Sequence, residues 1–399
     1  MKKIRLFMVI ALVVLLAFPI VSWASEVLKI GGHATLTGPA AGWYIPMLHA
    51  AEIFSEDVEA AGGLRIGGKT YMLKTYAYDN KYTSAGGTAA ATKLVYEDKA
   101  KFLFISTGSA SVLASQAITE PAKVLSMTPA WDKGIVKEFT FRMAFSGVEM
   151  TTPLAFYVRK RWPQAKTVAV AYPNDPTGWE PGDWEIKCLK ANGFEIVTKE
   201  LYERGTTDFY PVATKLMAKK PDMISLGSGS PGEVALIWKS LYELGWRGIK
   251  FNPGQISSPA IIKTGGPGMN GVLICMGFDP AGPFGTAKGK ELSAKMKKHG
   301  WENESMWAAA VGWFSLEALT NAMRAANSID SVKVKEAMQD LKWDSIFGPA
   351  RFGMEDYYGF KRQCLYNNVV TEVIDGKPVD IAAQSAEEML EMVEKVRKF

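Results

Sequence analysis

Two glycine- and hydroxyl-rich stretches are placed to offer backbone N–H groups to an anionic or polar ligand. Gly227-Ser228-Gly229-Ser230-Pro231-Gly232 has the spacing G-x-G-x-x-G, follows an apolar strand pattern at 223–226 and opens a helical one. A dinucleotide would also require an acid about 20 residues further on, at the end of the next strand. Residues 247–258 contain none, so the loop reads as a donor cluster and not as a nucleotide site. Thr107-Gly108-Ser109-Ala110-Ser111 stands in the same position after the apolar run 102–105. Helix capping would explain that loop taken alone. Two such loops point further, because ligands of open α/β sheets sit beyond the carboxyl ends of the strands. A third match, Gly63 to Thr70, fits G-x-x-x-x-G-K-T, but a helix precedes it and a strand follows. That order is the reverse of what a phosphate loop needs, and the segment reads as a turn.

Catalytic constellations are missing. There is no G-x-S-x-G and no H-E-x-x-H, and the three histidines (His33, His49, His299) are scattered. The three cysteines (Cys188, Cys275, Cys364) allow one disulfide at most and show no metal-type spacing. The expectation is a binding protein, not an enzyme, with no cofactor and no metal. Of twelve tryptophans, Trp43, Trp131 and Trp179 lie in polar or Gly/Pro-rich loops after strand patterns. Core packing and ligand-site lining are both open for each of them.

The elements that would position these loops alternate regularly. Strand patterns at 27–30, 72–78, 102–105 and 124–127 are interleaved with helical patterns at 44–61, 84–98 and 111–119. The order then restarts: helices at 150–161, 183–191, 209–219 and 233–244 alternate with strands at 167–171, 194–198, 223–226 and 249–251. Such βαβα repetition implies a doubly wound parallel sheet, here twice. A further strand at 271–277 is followed by helices at 287–299, 306–326 and 332–341. An extended stretch at 351–353, a hairpin at 369–378 around Asp375-Gly376 and a charged helix at 386–399 close the chain.

Residues 1–24 read as a cleaved secretory leader. Lys2, Lys3 and Arg5 precede the apolar run 6–21, and Ser22-Trp23-Ala24 supplies small residues at the cleavage positions. The run is short for a membrane span. The whole chain is formally +5, and losing the three leader cations leaves +2, which gives no electrostatic reason to bind nucleic acid.

The residues then resemble a known family. Leu36-Thr37-Gly38-Pro39, the helix ending Val58-Glu59-Ala60-Ala61-Gly62-Gly63, Asp79, Leu94-Val95, Ser126-Met127-Thr128-Pro129 and Gly205-Thr206-Thr207-Asp208-Phe209 follow one another as in the leucine/isoleucine/valine-binding proteins of ABC importers. The resemblance runs over residues 27–360. It implies a type I periplasmic-binding fold: two Rossmann-like α/β lobes, three crossing segments and a ligand cleft closed by a hinge. The crossings would lie near 141–147, 277–282 and 352–359. The first lobe would then comprise 25–143 and 279–352, and the second 144–278 and 353–399. The implied partners are a small-molecule ligand, an amino acid or small organic acid, and the permease subunits of the inner membrane. The implied protein is a periplasmic monomer.

By the same resemblance the ligand-binding positions fall on Trp43; on Thr107, Gly108 and Ser109; on Ala130, Trp131 and Asp132; and, in the second lobe, on Thr177, Trp179, Gly229, Ser230 and Gln255. Two departures stand out. The family's amino-acid binders carry a threonine at the place of Asp132 and an acid near the place of Gly254 or Gln255. Three readings follow: the ligand ammonium has moved to Asp132, the ligand is not an α-amino acid, or Asp132 pairs with Lys133 or Arg142. A sensor subunit of the same fold, and a periplasmic hydrolase, are the competing functions.

Overall fold

The computed structural model describes residues 25–38, 40–254 and 256–399. Residues 1–24, read above as a leader, and Gln255 lie outside the described residues. The strands form two sheets. In the first, β1 (Glu26–Ala34) lies between β3 (Lys69–Thr75) and β5 (Phe102–Ser106), and β6 (Leu125–Thr128) and β7 (Thr140–Arg142) continue beyond β5, all parallel. β2 (Leu64–Ile66) edges β3, and β4 (Tyr78–Asp79) pairs with the end of β1. β5, β6 and β7 are buried along their whole length, as a parallel sheet covered on both faces requires. In the second sheet, β8 (Thr167–Pro173) lies between β9 (Glu195–Tyr202) and β10 (Met223–Leu226), followed by β11 (Ile249–Asn252) and β12 (Val272–Ile274).

Each sheet therefore reverses its winding once, between β1 and β5 and between β8 and β10. The crevice for a ligand opens outside the carboxyl ends at such switch points. The elements that follow those four strands carry the site: α1 (Ala41–Ala60), α3 (Ser109–Thr119), α5 (Pro176–Ala191) and α7 (Pro231–Glu243). The helices between them are α2 (Ser84–Thr92), α4 (Gly147–Arg161) and α6 (Tyr210–Met217), with α8 (Pro259–Gly265) after β11.

The chain crosses between the sheets three times. It leaves β7 for α4, and after β12 it returns to the first lobe as α9 (Ala287–Lys298), α10 (Met306–Ala326) and α11 (Ser331–Gln339). α10 packs along α1. Gly312 permits the approach, since a Cβ there would fall 2.2 Å from the Met47 carbonyl oxygen. The third crossing differs from the sequence expectation. Residues 351–353 belong to β14 (Gly348–Gly353), which pairs with β13 (Lys342–Ser345) and with β15 (Gln363–Leu365), and β15 runs beside β7. All three extend the first sheet, so the passage falls at Tyr366 and Asn367. β16 (Asn368–Ile374) and β17 (Lys377–Gln384) then form the expected hairpin on the edge of the second sheet, and α12 (Ala386–Lys398) closes the chain. The displaced boundary has a local cause. Gln363 accepts from Arg142 Nη1 at 3.1 Å and donates to the Ala144 carbonyl at 3.0 Å, which fixes β15 to the first lobe.

Next to these crossings sits a buried polar network. Ser146 Oγ and Tyr358 OH donate to opposite oxygens of Glu149 at 2.6 and 2.7 Å, and the Arg142 guanidinium lies 4.8 Å from the Tyr358 ring. All three cysteines are buried free thiols, so no disulfide ties the lobes.

Candidate functional site

The two lobes touch across the crevice, α1 against α7 and α3 against α5. Between them lies a cavity of about 330 Å³. Its first-lobe walls come from the start of α1, the loop after β4, the first residue of α3, the loop after β6 and the start of α10; its second-lobe wall is Thr177. Trp43, Tyr44 and Met47 supply one apolar side. Trp131 lies against Trp43, ring centroids 5.6 Å apart, and reaches over to the second lobe at Gly254, where a Cβ would fall 3.1 Å from its ring. Trp307 completes the wall.

Polar groups are few and placed at helix starts. The Ser109 hydroxyl accepts from the amides of Trp131 and Asp132, each at 3.3 Å. Its own proton is therefore available to the cavity, at the first turn of α3, where the helix dipole favours an anion. On the opposite lobe Thr177 opens α5 and its hydroxyl meets that of Tyr82 at 2.9 Å. Tyr82 is held in an unusual backbone conformation. Lys81 and Tyr82 both have positive φ, 52° and 59°. Asp79 and Asn80 side chains take their amides at 2.9 Å each. Consecutive left-handed residues other than glycine are costly and persist only where the surroundings fix them.

Below Tyr82 lies Arg204, its guanidinium 4.7 Å from the Tyr82 ring. It is clamped by Asp175 at 2.6 Å and by the fully buried Glu233 at 3.0 Å. Burial alone would lower its pKa, but Tyr82 and the two carboxylates outweigh that and raise it. Arg204 stays a cation under the site. Tyr44 stacks on Tyr82 with centroids 6.5 Å apart, and burial holds its phenol well above the ordinary pKa. On the first-lobe side His33, Asn80 and Thr107 form a scaffold. Asn80 Nδ2 donates to His33 Nδ1 at 3.0 Å and to the Thr107 carbonyl at 2.8 Å, and the Thr107 hydroxyl accepts from the Thr35 amide.

Of the positions named from sequence, Trp43, Ser109, Ala130, Trp131 and Thr177 line the cavity. Thr107 and Gly108 are buried beneath it, as the scaffold that sets Ser109; Gly108 is left-handed, φ 76°, where α3 begins. Asp132 lies outside the wall. Its Oδ1 caps the turn at Gly134 at 2.7 Å, and its carbonyl accepts from Arg142. Gly229 packs against the Tyr202 hydroxyl, and the Ser230 amide donates to Glu233 at 3.1 Å, so both serve the start of α7. Trp179 is half-exposed, its indole donating to Asn174 at 2.9 Å, away from the cavity. Tyr44, Met47, Tyr82, Pro129 and Trp307 are cavity walls that the sequence reading passed over. Tyr44 adjoins Trp43, and Tyr82 lies in a strand-end loop at the switch point, so both had a local signal. Trp307 had none.

The described residues hold no cluster of ligating side chains for a metal ion, and no helix among them is long and apolar enough to cross a membrane. Residues 27–371 match the sequence profile of the periplasmic binding protein family. The chain is 25% identical over 325 residues to an amino acid binding protein of Pseudomonas aeruginosa, covering 80% of this chain and 84% of that one. The fold matches that of a leucine binding protein from Thermotoga maritima, TM-score 0.77 at 21% identity, over 90% of this chain and 99% of the other. It equally matches a solute binding protein of an ABC transporter from R. palustris in complex with benzoate, TM-score 0.76 at 18% identity, over 91% and 99%.

Proposed function

The chain belongs to the periplasmic binding protein family, and from that premise we propose that it captures a small carboxylate with a flat or branched apolar body and delivers it to an ABC permease. It is a solute-binding protein and not an enzyme. In this reading the leader of residues 1–24 is removed on export, and residues 25–399 act in the periplasm as a single chain. One observation carries the ligand class. The cavity is walled by Trp43, Tyr44, Met47, Tyr82, Trp131 and Trp307, its polar groups include the hydroxyls of Ser109 and Thr177, and no carboxylate lines it among the described residues. A ligand carboxylate would take the Ser109 hydroxyl and the α3 N-terminus. An ammonium would find no anionic partner in these walls. This favours an acid without an α-amine, although relatives include proteins named as amino-acid binders.

The test is thermal unfolding of residues 25–399 with benzoate, 4-hydroxybenzoate, isobutyrate, acetamide and leucine. A ligand at 100 times its dissociation constant stabilises by about 2.7 kcal/mol. The expected shift comes with the acids that lack an amine. A shift with leucine alone would overturn the ligand class and leave the family role standing.

A further inference from the structure

Trp307 is the first-turn residue of α10 and is almost fully buried, 4% exposed. It lines the cleft cavity and also a second cavity of about 550 Å³. The second cavity lies where the chain crosses between the lobes, against Met276–Phe278 on one passage and Tyr366–Asn367 on another, and no charged side chain lines it among the described residues. Among the described residues Trp307 is common to both walls. Its position is fixed by its surroundings. The Ser305 hydroxyl caps α10 by accepting from Ala308 at 3.2 Å, and α10 is pressed onto α1 at Gly312. Facing its indole is the phenol of Tyr366, whose ring is stacked between Phe145 and Phe347, centroids 4.2 and 4.6 Å away. The Trp307 Nε1 and the Tyr366 hydroxyl are turned toward one another, and neither has a well-formed hydrogen bond to any third group, although both are buried. Buried donors ordinarily find partners, and removing the Trp307 indole would leave the Tyr366 hydroxyl without the group it faces.

We propose that Trp307 is the specificity-determining partition of a two-chamber site: it ends the ligand cavity at the size of one ring or one short branched chain, and the hinge cavity behind it is the room that a longer apolar tail would occupy. The inference rests on the cleft cavity being the ligand site. It does not depend on which head group the ligand carries. The cleft cavity is the smaller of the two, and joining the chambers would more than double it. In the joined space the Tyr366 hydroxyl remains as the donor for an acceptor on the tail.

The experiment measures dissociation constants by calorimetry for two pairs of probes, benzoate with 4-phenylbutyrate and leucine with 2-aminooctanoate, in the wild-type chain and in Trp307→Ala. The wild type is expected to prefer the short member of whichever pair it binds. In Trp307→Ala the ratio of affinities, long over short, should rise at least tenfold. Adding Val369→Phe, which refills the hinge cavity, should cancel most of that rise. Should Trp307→Ala fail to fold, Trp307→Leu, which keeps an apolar side chain, carries the same test with a smaller expected rise of about threefold. An unchanged ratio in a folded variant overturns the partition and leaves the cleft as the ligand site. A rise that survives Val369→Phe overturns the role of the hinge cavity. A wild type that binds none of the four probes overturns the ligand reading, and this inference falls with it.

Discussion

The hydroxyls of Tyr82 and Thr177 meet at 2.9 Å across the cleft, one from each lobe. The bond can form only after the lobes approach, so it acts on the closed state. Tyr82→Phe keeps the ring, its stacking on Tyr44 and its seat over Arg204, and removes this one bond. A net hydrogen bond contributes about 1 kcal/mol, so ligand affinity should fall about fivefold. The loss should sit in the dissociation rate, since it acts after encounter. Stopped-flow tryptophan fluorescence reads both rates. Thr177→Val should do the same, and the double variant should lose no more than either alone. An unaltered dissociation rate in Tyr82→Phe would show that this contact does not hold the lobes closed.

Arg204 is bound to Asp175 at 2.6 Å and to Glu233 at 3.0 Å, and Glu233 is 1% exposed. Glu233 also accepts from the amides of Gly205 and Ser230. Removing the cation would strand a buried carboxylate, which ordinarily costs about 3–5 kcal/mol. Arg204→Met should therefore lower stability in urea by that order, even though methionine fills much of the volume. A loss under about 1 kcal/mol would mean that solvent reaches Glu233.

Much of this architecture was legible because it is repetitive. Strand β5 is a wholly apolar pentad but for Ser106, and α/β alternation dictates where its following loop must stand. Ser109 was readable for that reason, as the hydroxyl that opens the helix after a switch-point strand; Thr177 was reached only through the family resemblance, because the helical pattern begins at 183 and Pro176 starts the helix seven residues earlier. Asp132 was not readable in the same way. A carboxylate in a strand-end loop can face a ligand or cap the next turn, and here Oδ1 takes the Gly134 amide. The third crossing was misplaced because β15 is three residues long and is fixed by Arg142 and Gln363, partners 221 residues apart. Trp307 reaches the site through the packing of α10 on α1, a contact between segments some 260 residues apart that local spacing cannot encode.

Ser109 and Asp132 lie close together yet should behave differently. Ser109→Ala removes the hydroxyl offered to the ligand and strands the amides of Trp131 and Asp132 that it accepts. Affinity for the carboxylate ligand should drop by more than about fivefold, a cost above ~1 kcal/mol. Asp132→Asn keeps an oxygen for the Gly134 amide and should leave affinity within about twofold. Titration calorimetry on the two variants decides between them. A large loss in Asp132→Asn with little in Ser109→Ala would move the polar end of the ligand to Asp132.

Glu185 is buried at 1% exposure under the glycine loop after β10, where the Ser225 hydroxyl donates to it. Burial pushes its carboxyl from an ordinary 4.5 up to about 7, and burial raises Glu180 to about 7 as well. Between pH 4.5 and 7 the folded chain keeps protons that the unfolded chain has released, so these groups contribute stability at low pH that is lost as pH rises through 7. His33 acts in the opposite sense. Burial lowers it from 6.5 to about 4, so its contribution is present above pH 6.5 and is lost as pH falls toward 4. The two effects oppose each other over the shared window, so a variant that removes one group reads its contribution more cleanly than the wild-type profile does. Glu185→Gln keeps an acceptor for Ser225 and cannot titrate. Its stability relative to the wild type, from urea unfolding, should therefore rise between pH 5 and pH 8. A constant difference across that range would mean that Glu185 ionises in the folded protein near its ordinary value, and that water reaches its carboxylate despite its burial.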